Sequence, residues 1–140
     1  MHKPEYSIPS ISEVECIKGT NGLNVVSFFS GGGGSCLGFE MAGYKILSAS
    51  EFVDEARKTY ALNHKDTPID GRDVRNVKAK DVFELAGTDQ IDVMEGSPPC
   101  SSFSTAGKRE QGWGKVNSYS DTEQRSDDLF LEFARLLYDI

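Results

Sequence analysis

Short apolar stretches alternate with amphipathic ones along the chain from residue 23 onward. Residues 23–29 form a short stretch rich in β-branched and aromatic residues, which is typical of a buried strand. Similar stretches predict further strands over residues 44–50, 67–69 and 91–95. Each of these stretches is followed by glycine, proline or acidic residues that end it.

The segments between the strands carry apolar residues three and four positions apart, the spacing of an amphipathic helix. They predict helices over residues 37–42, 53–63, 79–86 and 125–138. Gly43 and Gly87 follow two of these segments and are typical of helix ends. Residues 101–124 read as a long loop with glycine hinges, a kind of segment that often forms a lid.

Residues 1–22 differ from the rest, with scattered proline, glycine and serine. We interpret them as a loosely docked N-terminal extension, with Ile11, Val14 and Ile17 as its candidate packing residues. Residues 23–140 then form the remaining domain.

Strands that alternate with helices predict right-handed βαβ units. The expected fold is therefore α/β, a parallel sheet with helices on both faces. Ligands of such folds bind at the carboxyl ends of the strands. The loops that follow the predicted strands are accordingly the candidate site: residues 30–36, 51–52, 70–75 and 96–104.

Composition narrows the function. The chain has 140 residues and a net charge of −7, so general nucleic-acid binding through excess basic residues is disfavoured. Three cysteines without a Cys-x-x-Cys pair and two histidines favour neither a disulfide framework nor a metal site. No apolar run reaches the roughly 18 residues of a membrane helix, and no secretory signal is visible. We expect a cytoplasmic protein beside the nucleoid, with no membrane partner.

Four consecutive glycines, residues 31–34, follow the first predicted strand. Glycines at this place let the backbone approach a ligand closely. The dinucleotide fingerprint Gly-x-Gly-x-x-Gly fails, because Cys36 or Leu37 stands at its third glycine position. The Gly-Lys-Ser/Thr ending of a phosphate-binding loop is also absent, so a pyrophosphate ligand is disfavoured.

Glu51 ends the second predicted strand, 20 residues after Gly31. An acid at this offset accepts hydrogen bonds from ribose hydroxyls in nucleotide-binding α/β folds, although a lone glutamate is often only a surface charge. A ribose-bearing ligand without a pyrophosphate fits both features, and S-adenosylmethionine is the candidate. Asp73, after the third strand, is a weaker candidate acceptor for an adenine amine.

Cys100 lies in the loop after the fourth predicted strand. Pro98 and Pro99 stiffen the backbone before it, and a thiol in a polar loop suits a nucleophile better than a buried structural cysteine. Residues 96–120 hold three basic side chains against one acid, which favours an anionic substrate. No histidine is near in sequence, so a protease-like dyad has no support.

With these motifs in place, the chain resembles the N-terminal part of DNA (cytosine-5)-methyltransferases from about residue 23 to residue 138. Five segments carry the resemblance in the family's order. They are Phe29-Ser30-Gly31-Gly32-Gly33-Gly34 with Leu37 to Tyr44, Ala49-Ser50-Glu51 with Asn63-His64, Gly71-Arg72-Asp73-Val74, Pro98-Pro99-Cys100 with Phe103-Ser104, and Leu129-Phe130 with Phe133 and Arg135.

The resemblance implies a Rossmann-like S-adenosylmethionine-dependent methyltransferase fold and double-stranded DNA with a flipped cytosine as substrate. It implies that Cys100 is the catalytic nucleophile and that Ser104, Lys108 and Arg109 contact nucleic acid. It also implies a set of cofactor-binding residues, with S-adenosylhomocysteine as the product left behind. These are Phe29, Ser30, Gly31, Gly33, Gly34, Ser35, Glu51, Phe52, Asp73, Val74, Ser97 and Leu129.

The chain also departs from the family pattern. Ser101 stands where the family has glutamine after the cysteine, and the arginine expected at Ser126 stands at Arg125. The family's following Glu-Asn-Val strand and its target-recognition region do not occur before Ile140. We therefore expect a truncated catalytic domain that needs the missing C-terminal half or a complementing subunit. We also expect its open sheet edge to cause self-association.

Two other functions stay open at this point. The chain could be a non-catalytic module that binds S-adenosylmethionine and assembles with a partner, or part of a tRNA cytosine-5 methyltransferase. A dinucleotide-dependent dehydrogenase is disfavoured because the glycine fingerprint fails.

Overall fold

A parallel four-stranded sheet forms the centre of the molecule. The computed structural model describes residues 7–99, 116–119, 122–125 and 128–140. The strands lie in the order β3-β2-β1-β4, and each neighbouring pair is parallel. Their bounds are β1 Asn24–Phe28, β2 Lys45–Ser50, β3 Ile69–Asp70 and β4 Val93–Gly96. The predicted α/β fold with a parallel sheet is confirmed.

Helices cover both faces of this sheet, as the alternating pattern predicts. The described helices are α1 Ile11–Ile17, α2 Gly34–Met41, α3 Asp54–Asn63, α4 Ala79–Ala86 and α5 Leu129–Asp139, with a 3-10 turn at Val74–Asn76. Gly87 directly follows the last residue of α4, and Gly43 follows the C-cap of α2, Ala42. None of the described helices has the length and apolar character needed to span a bilayer.

Alternating side chains of the strands divide the core into two layers. Val25 packs with residues of α2 and α3, in a cluster we call the α2–α3 layer; its buried members are Val25, Cys36, Ile46, Ala49 and Tyr60. Val26 and Phe28 point to the other face and pack against the 3-10 turn, α4 and α5, in the α4–α5 layer. The buried members of that layer are Val26, Phe28, Val74, Val77, Val82, Leu129 and Leu136.

Helix α1 is an element that the hydrophobic pattern does not predict. Its start is a capping box, in which the Glu13 backbone N–H donates to the Ser10 hydroxyl at 3.4 Å and the Ser10 N–H donates to Glu13 Oε2 at 2.7 Å. Val14 is buried, whereas Ile11 is 83% exposed. The Ser-x-x-Glu spacing is a helix-start signal that outweighs the short apolar pattern here.

The segment before α5 also differs from the prediction. Residues within the predicted 101–124 loop form strand β5 Val116–Tyr119, which pairs antiparallel with β6 Thr122–Arg125. Arg125, predicted to begin the last helix, lies in β6, and α5 begins only at Leu129 after the N-cap Asp128. The predicted start is too early because residues 126–128 are serine and aspartate, residue types that are favoured just before a helix rather than inside it.

Candidate functional site

The loops that follow the strands are joined to one another by backbone hydrogen bonds. The Ser30 N–H donates to the Ser50 carbonyl at 3.1 Å, and the Glu51 N–H donates to the Asp70 carbonyl at 2.9 Å. The Ser97 N–H reaches the Phe28 carbonyl at 3.4 Å. The described parts of the predicted site loops therefore lie side by side at the carboxyl ends of the strands, as the parallel topology requires.

The carboxylate of Glu51 connects two of these loops. Its Oε2 accepts a 2.8 Å hydrogen bond from the Gly31 N–H, and its Oε1 accepts another of 2.8 Å from the Val53 N–H. The residue is only 9% exposed. A carboxylate oxygen has two lone-pair sites, so each oxygen keeps one for a further donor such as a hydroxyl.

The glycine loop between β1 and α2 has one open side and one packed side. Phe29, Gly31 and Gly33 all adopt positive φ angles, of 53°, 56° and 93°. A Cβ atom added at Gly31 or Gly34 would meet no atom within 4 Å, whereas one at Gly33 would lie 2.3 Å from His64 Nε2. The loop is thus open to a ligand at Gly31 and Gly34 and closely supported from behind at Gly33.

The support behind Gly33 is a buried pair of ionisable side chains. His64 Nε2 lies 3.0 Å from the Gly33 carbonyl oxygen, and His64 Nδ1 lies 3.3 Å from Glu40 Oε2. Both residues are at least nine-tenths buried, and the His64 ring stacks on Tyr60 with a centroid separation of 4.6 Å. Interaction with the Glu40 carboxylate raises the pKa of His64 above its ordinary value.

A second polar group lies between β1, β4 and the first turn of α2. The Ser27 hydroxyl donates to Glu95 Oε1 at 2.5 Å, and the Ser35 hydroxyl donates to the same oxygen at 2.8 Å. Ser27 also bonds Ser30 at 2.8 Å. Glu95 is not among the site residues predicted from the sequence. Its signal in the sequence is that Ser27 and Glu95 are polar residues with apolar residues just before them in β1 and β4.

On the opposite side of the site, Arg75 joins the loop after β3 to the start of α5. Its guanidinium donates to Asp73 Oδ2 at 2.8 Å and to both carboxylate oxygens of Asp128, with an Nε–Oδ2 distance of 3.1 Å. Hydrogen bonding to Asp128 raises the pKa of Arg75. Asp73, a predicted site residue, is therefore held in place by an arginine that the sequence analysis does not select.

Val74 and Leu129 are chain neighbours of the residues in this ion-pair group. Both belong to the α4–α5 layer, and Leu129 has no exposed surface. Arg135 of α5 donates to the Val74 carbonyl at 3.2 Å and to the Val77 carbonyl at 2.9 Å. Helix α5 is thereby attached to the segment that carries Asp73 and Val74.

Phe52 follows Glu51 and is half-buried. The Arg57 Nη1 group donates to the carbonyls of both Glu51 and Phe52 at 3.1 Å. A Cβ atom at Gly71 would lie 2.7 Å from that Nη1, so the glycine allows Arg57 to fill the space between the second and third loops. The sequence contains no distinctive signal for this role of Arg57, because it depends on contacts between distant segments.

The predicted nucleophile Cys100 and the predicted nucleic-acid contacts Ser104, Lys108 and Arg109 lie outside the described residues. The two described cysteines, Cys16 and Cys36, differ in their exposure to solvent. Burial raises the pKa of the Cys36 thiol, which accepts a hydrogen bond from the Tyr60 hydroxyl at 3.4 Å, whereas Cys16 is exposed on α1. Within the described ranges, no group of three or more His, Cys, Asp or Glu residues could hold a metal ion.

Comparison with known proteins identifies the family that this chain resembles. The family model "C-5 cytosine-specific DNA methylase" matches residues 23–140. The type II methyltransferase M.NgoPII of Neisseria gonorrhoeae is 40% identical over 117 residues, covering 84% of this chain and 30% of that protein. M.HindV of Haemophilus influenzae is 39% identical over 95 residues, covering 68% of this chain and 30% of that protein. The chain spans about 30% of the length of these two relatives.

A solved structure agrees with this assignment. It is described as a DNA modification methyltransferase encoded within an E. coli prophage, and it superposes with a TM-score of 0.63 at 28% identity. The match covers 84% of this chain and 29% of that one. The sheet and helices described above are therefore shared with a methyltransferase fold.

Proposed function

The chain belongs to the C-5 cytosine-specific DNA methylase family, and on that premise we propose that it forms the cofactor-binding, nucleophile-bearing part of a DNA cytosine-5 methyltransferase. We assign this role to residues 23–140 and treat residues 1–22 as an N-terminal extension. The observation that carries the proposal is the 2.8 Å hydrogen bond between the Gly31 N–H and Glu51. It joins the glycine loop and the acid that ends the next strand into one surface.

The residues of this surface fit S-adenosylmethionine. The two oxygens of Glu51 each keep a lone pair after binding Gly31 and Val53, which matches the two hydroxyls of a ribose. The space above Gly31 and Gly34 is open, so a ligand can approach the backbone there. This loop would hold the methionine part of the cofactor, together with Phe29, Ser30, Gly33 and Ser35.

The remaining cofactor contacts come from the neighbouring loops. Asp73, held by Arg75, would accept a hydrogen bond from the adenine amine, with the Val74 backbone beside it. Phe52 and Leu129 would flank the ring, and Ser97 would complete the site at the end of β4. When bound, S-adenosylmethionine supplies an electrophilic methyl group.

Cys100 is the proposed nucleophile toward the base. Its thiolate would form a bond to C6 of a cytosine that has left the duplex stack, which moves electron density onto C5, the atom that is methylated. Ser104, Lys108 and Arg109 would contact the DNA backbone near that base. Loss of the C5 proton and of the sulfur–C6 bond would then release the product base.

The cofactor half of this proposal can be tested on the 140-residue chain by calorimetric titration with S-adenosylhomocysteine. We expect Glu51→Gln to weaken binding by about 10-fold or more, because the variant loses charge-assisted hydrogen bonds to the ribose. Glu55→Gln is a matched control, since Glu55 is an exposed acid in the first turn of α3. It should change the affinity less than about 2-fold. No binding, or equal binding by both variants, would contradict the proposal.

A further inference from the structure

The ring of His64 lies between two hydrogen-bond acceptors. Nε2 is 3.0 Å from the Gly33 carbonyl oxygen, whereas Nδ1 lies 3.3 Å from Glu40 Oε2, a distance that suits an ion pair although the atoms are not aligned for a hydrogen bond. The side chains of His64 and Glu40 are only 3% and 11% exposed, so water cannot readily replace either contact. The ring also fills the space in which a Gly33 side chain would lie.

When Glu40 is ionised, this geometry favours a second ring proton. A neutral imidazole carries one N–H, so one of its nitrogens would present a lone pair to an oxygen of Gly33 or Glu40. Only the imidazolium can donate toward both oxygens at once. A buried acceptor left facing a lone pair costs free energy, and therefore the packing behind Gly33 depends on the protonation of His64.

The surrounding charges act in opposite directions on that proton. Glu40 of α2 favours the imidazolium, whereas Lys18, which follows α1, opposes it. Lys18 is itself paired with Glu15 and Asp66, at 2.5 Å and 3.6 Å, so part of its charge is compensated. Lys65 lines the same cavity as His64, and the Tyr60 hydroxyl and the Cys36 thiol on this side bond to each other. Glu40 dominates, and the pKa of His64 is raised as a result.

We propose that His64 is a positioning residue for the glycine loop, holding the Gly33 carbonyl as an imidazolium paired with Glu40, so that loop order and cofactor affinity decrease together when the ring loses its proton. The effect on affinity rests on the proposed function. The effect on the loop does not, because it concerns the free chain alone.

Amide hydrogen exchange of the free chain tests the loop directly. After correction for intrinsic exchange rates, we expect the protection of Gly33 and Leu37 to fall about 10-fold between pH 5.5 and pH 8.5. The Gly33 N–H donates to the Ser30 carbonyl, and the Leu37 N–H donates to the Gly33 carbonyl. Pairing with Glu40 raises the folded-state pKa, so the contribution is complete below about pH 6.5 and is lost as the pH rises through the raised value.

Two variants separate positioning from general stability. In Glu40→Gln the new amide can donate to the Nδ1 of a neutral His64, so protection should become independent of pH. His2→Gln removes the only other histidine of the chain and should keep the wild-type profile. A wild-type profile without pH dependence, or the same dependence in Glu40→Gln, would overturn the proposal. If Glu40→Gln does not fold, the profiles of the wild type and His2→Gln still decide.

Titration with S-adenosylhomocysteine over the same pH range tests the consequence for the ligand. We expect affinity to weaken about 5- to 10-fold toward pH 8.5 in the wild type and much less in Glu40→Gln. Absence of binding at every pH would contradict the proposed function. The hydrogen-exchange profiles of the free chain would still test the role of His64. Binding that is insensitive to pH would contradict the link between loop and ligand.

Discussion

The two faces of the sheet hold the site in different ways. In the α2–α3 layer, polar and ionisable side chains are buried directly beneath the glycine loop, among them Ser27, Glu40 and His64. In the α4–α5 layer, the buried polar residues are Ser48 and Ser50, which carry only small hydroxyls and lie beside Val26 and Phe28 on the neighbouring strand. The arginines of that side, Arg75 and Arg135, lie at its rim with about a third or less of their side chains exposed.

The two layers therefore have different roles: one stabilises the sheet, and the other fixes the conformation of the glycine loop. Apolar packing is non-directional and tolerates small shifts, so the α4–α5 layer stabilises the sheet as a whole. Hydrogen bonds need defined distances and angles, so the α2–α3 layer fixes the conformation of one loop. We therefore expect changes in the α4–α5 layer to act mainly on global stability and changes beneath Gly33 to act mainly on the ligand.

The largest expected effect is on the α4–α5 layer. Leu136→Ala should lower the free energy of unfolding by about 2–5 kcal/mol, because Leu136 is fully buried and its removal leaves a cavity. The neighbouring Leu137 is 58% exposed, so Leu137→Ala should cost less than about 1 kcal/mol. Urea unfolding monitored by circular dichroism measures both. Equal losses would show that α5 does not pack through Leu136.

At the glycine loop, we expect Gly33→Ala to lose less stability than Leu136→Ala but to lose more affinity for the ligand. Gly33→Ala places a Cβ atom 2.3 Å from His64 Nε2 at a positive φ of 93°, which should cost about 1–3 kcal/mol. Gly34→Ala meets no atom within 4 Å at the first residue of α2 and should leave the unfolding midpoint nearly unchanged.

Unfolding curves and S-adenosylhomocysteine titration of the same samples measure both quantities for this pair. Two variants with the same unfolding midpoint would contradict the close packing behind Gly33.

The smallest expected effect is at the rim of the α4–α5 layer. Arg75→Met removes the bridge between Asp73 and Asp128 while keeping the aliphatic stem, and should cost about 1 kcal/mol because the group is partly exposed. Lys80→Met breaks the pair of Lys80 with Glu84, whose side chains are 82% and 66% exposed, and should cost about 0.3 kcal/mol. Chemical denaturation measures the free energy of unfolding of the two variants. A larger loss in Lys80→Met than in Arg75→Met would contradict the stabilising bridge from Arg75 to Asp73 and Asp128.

Much of the fold could be predicted from local patterns. The four strands, the parallel sheet, and helices α3 and α4 follow from apolar periodicity, and each predicted boundary lies within two residues of the observed one. The sequence also predicted that Gly31 and Glu51 lie in neighbouring loops, because the offset between them is set by the length of one βα unit, but it did not predict the hydrogen bond that joins them.

Other features could not be found by apolar spacing. Helix α1 is marked by a capping box rather than by an apolar stripe, since Ile11 is exposed and Val14 is its buried residue. The β5–β6 pair lies in a segment whose glycines favoured a loop, and its strands stabilise each other through cross-strand hydrogen bonds. The predicted start of α5 is four residues too early, because residues 125–128 are all polar and no apolar position marks where the helix begins.

By itself, the sequence determined the order of the four parallel strands and of helices α2 to α5 along the chain, and it placed the glycine loop and Glu51 at strand ends, because these features depend on residues close together along the chain. Only the tertiary structure decided that Glu40 and His64 meet behind Gly33, that Ser27 and Ser35 share Glu95, and that Arg75 joins Asp73 to Asp128. These contacts connect different elements, and local periodicity carries no information about which side chains meet when helices pack on a sheet.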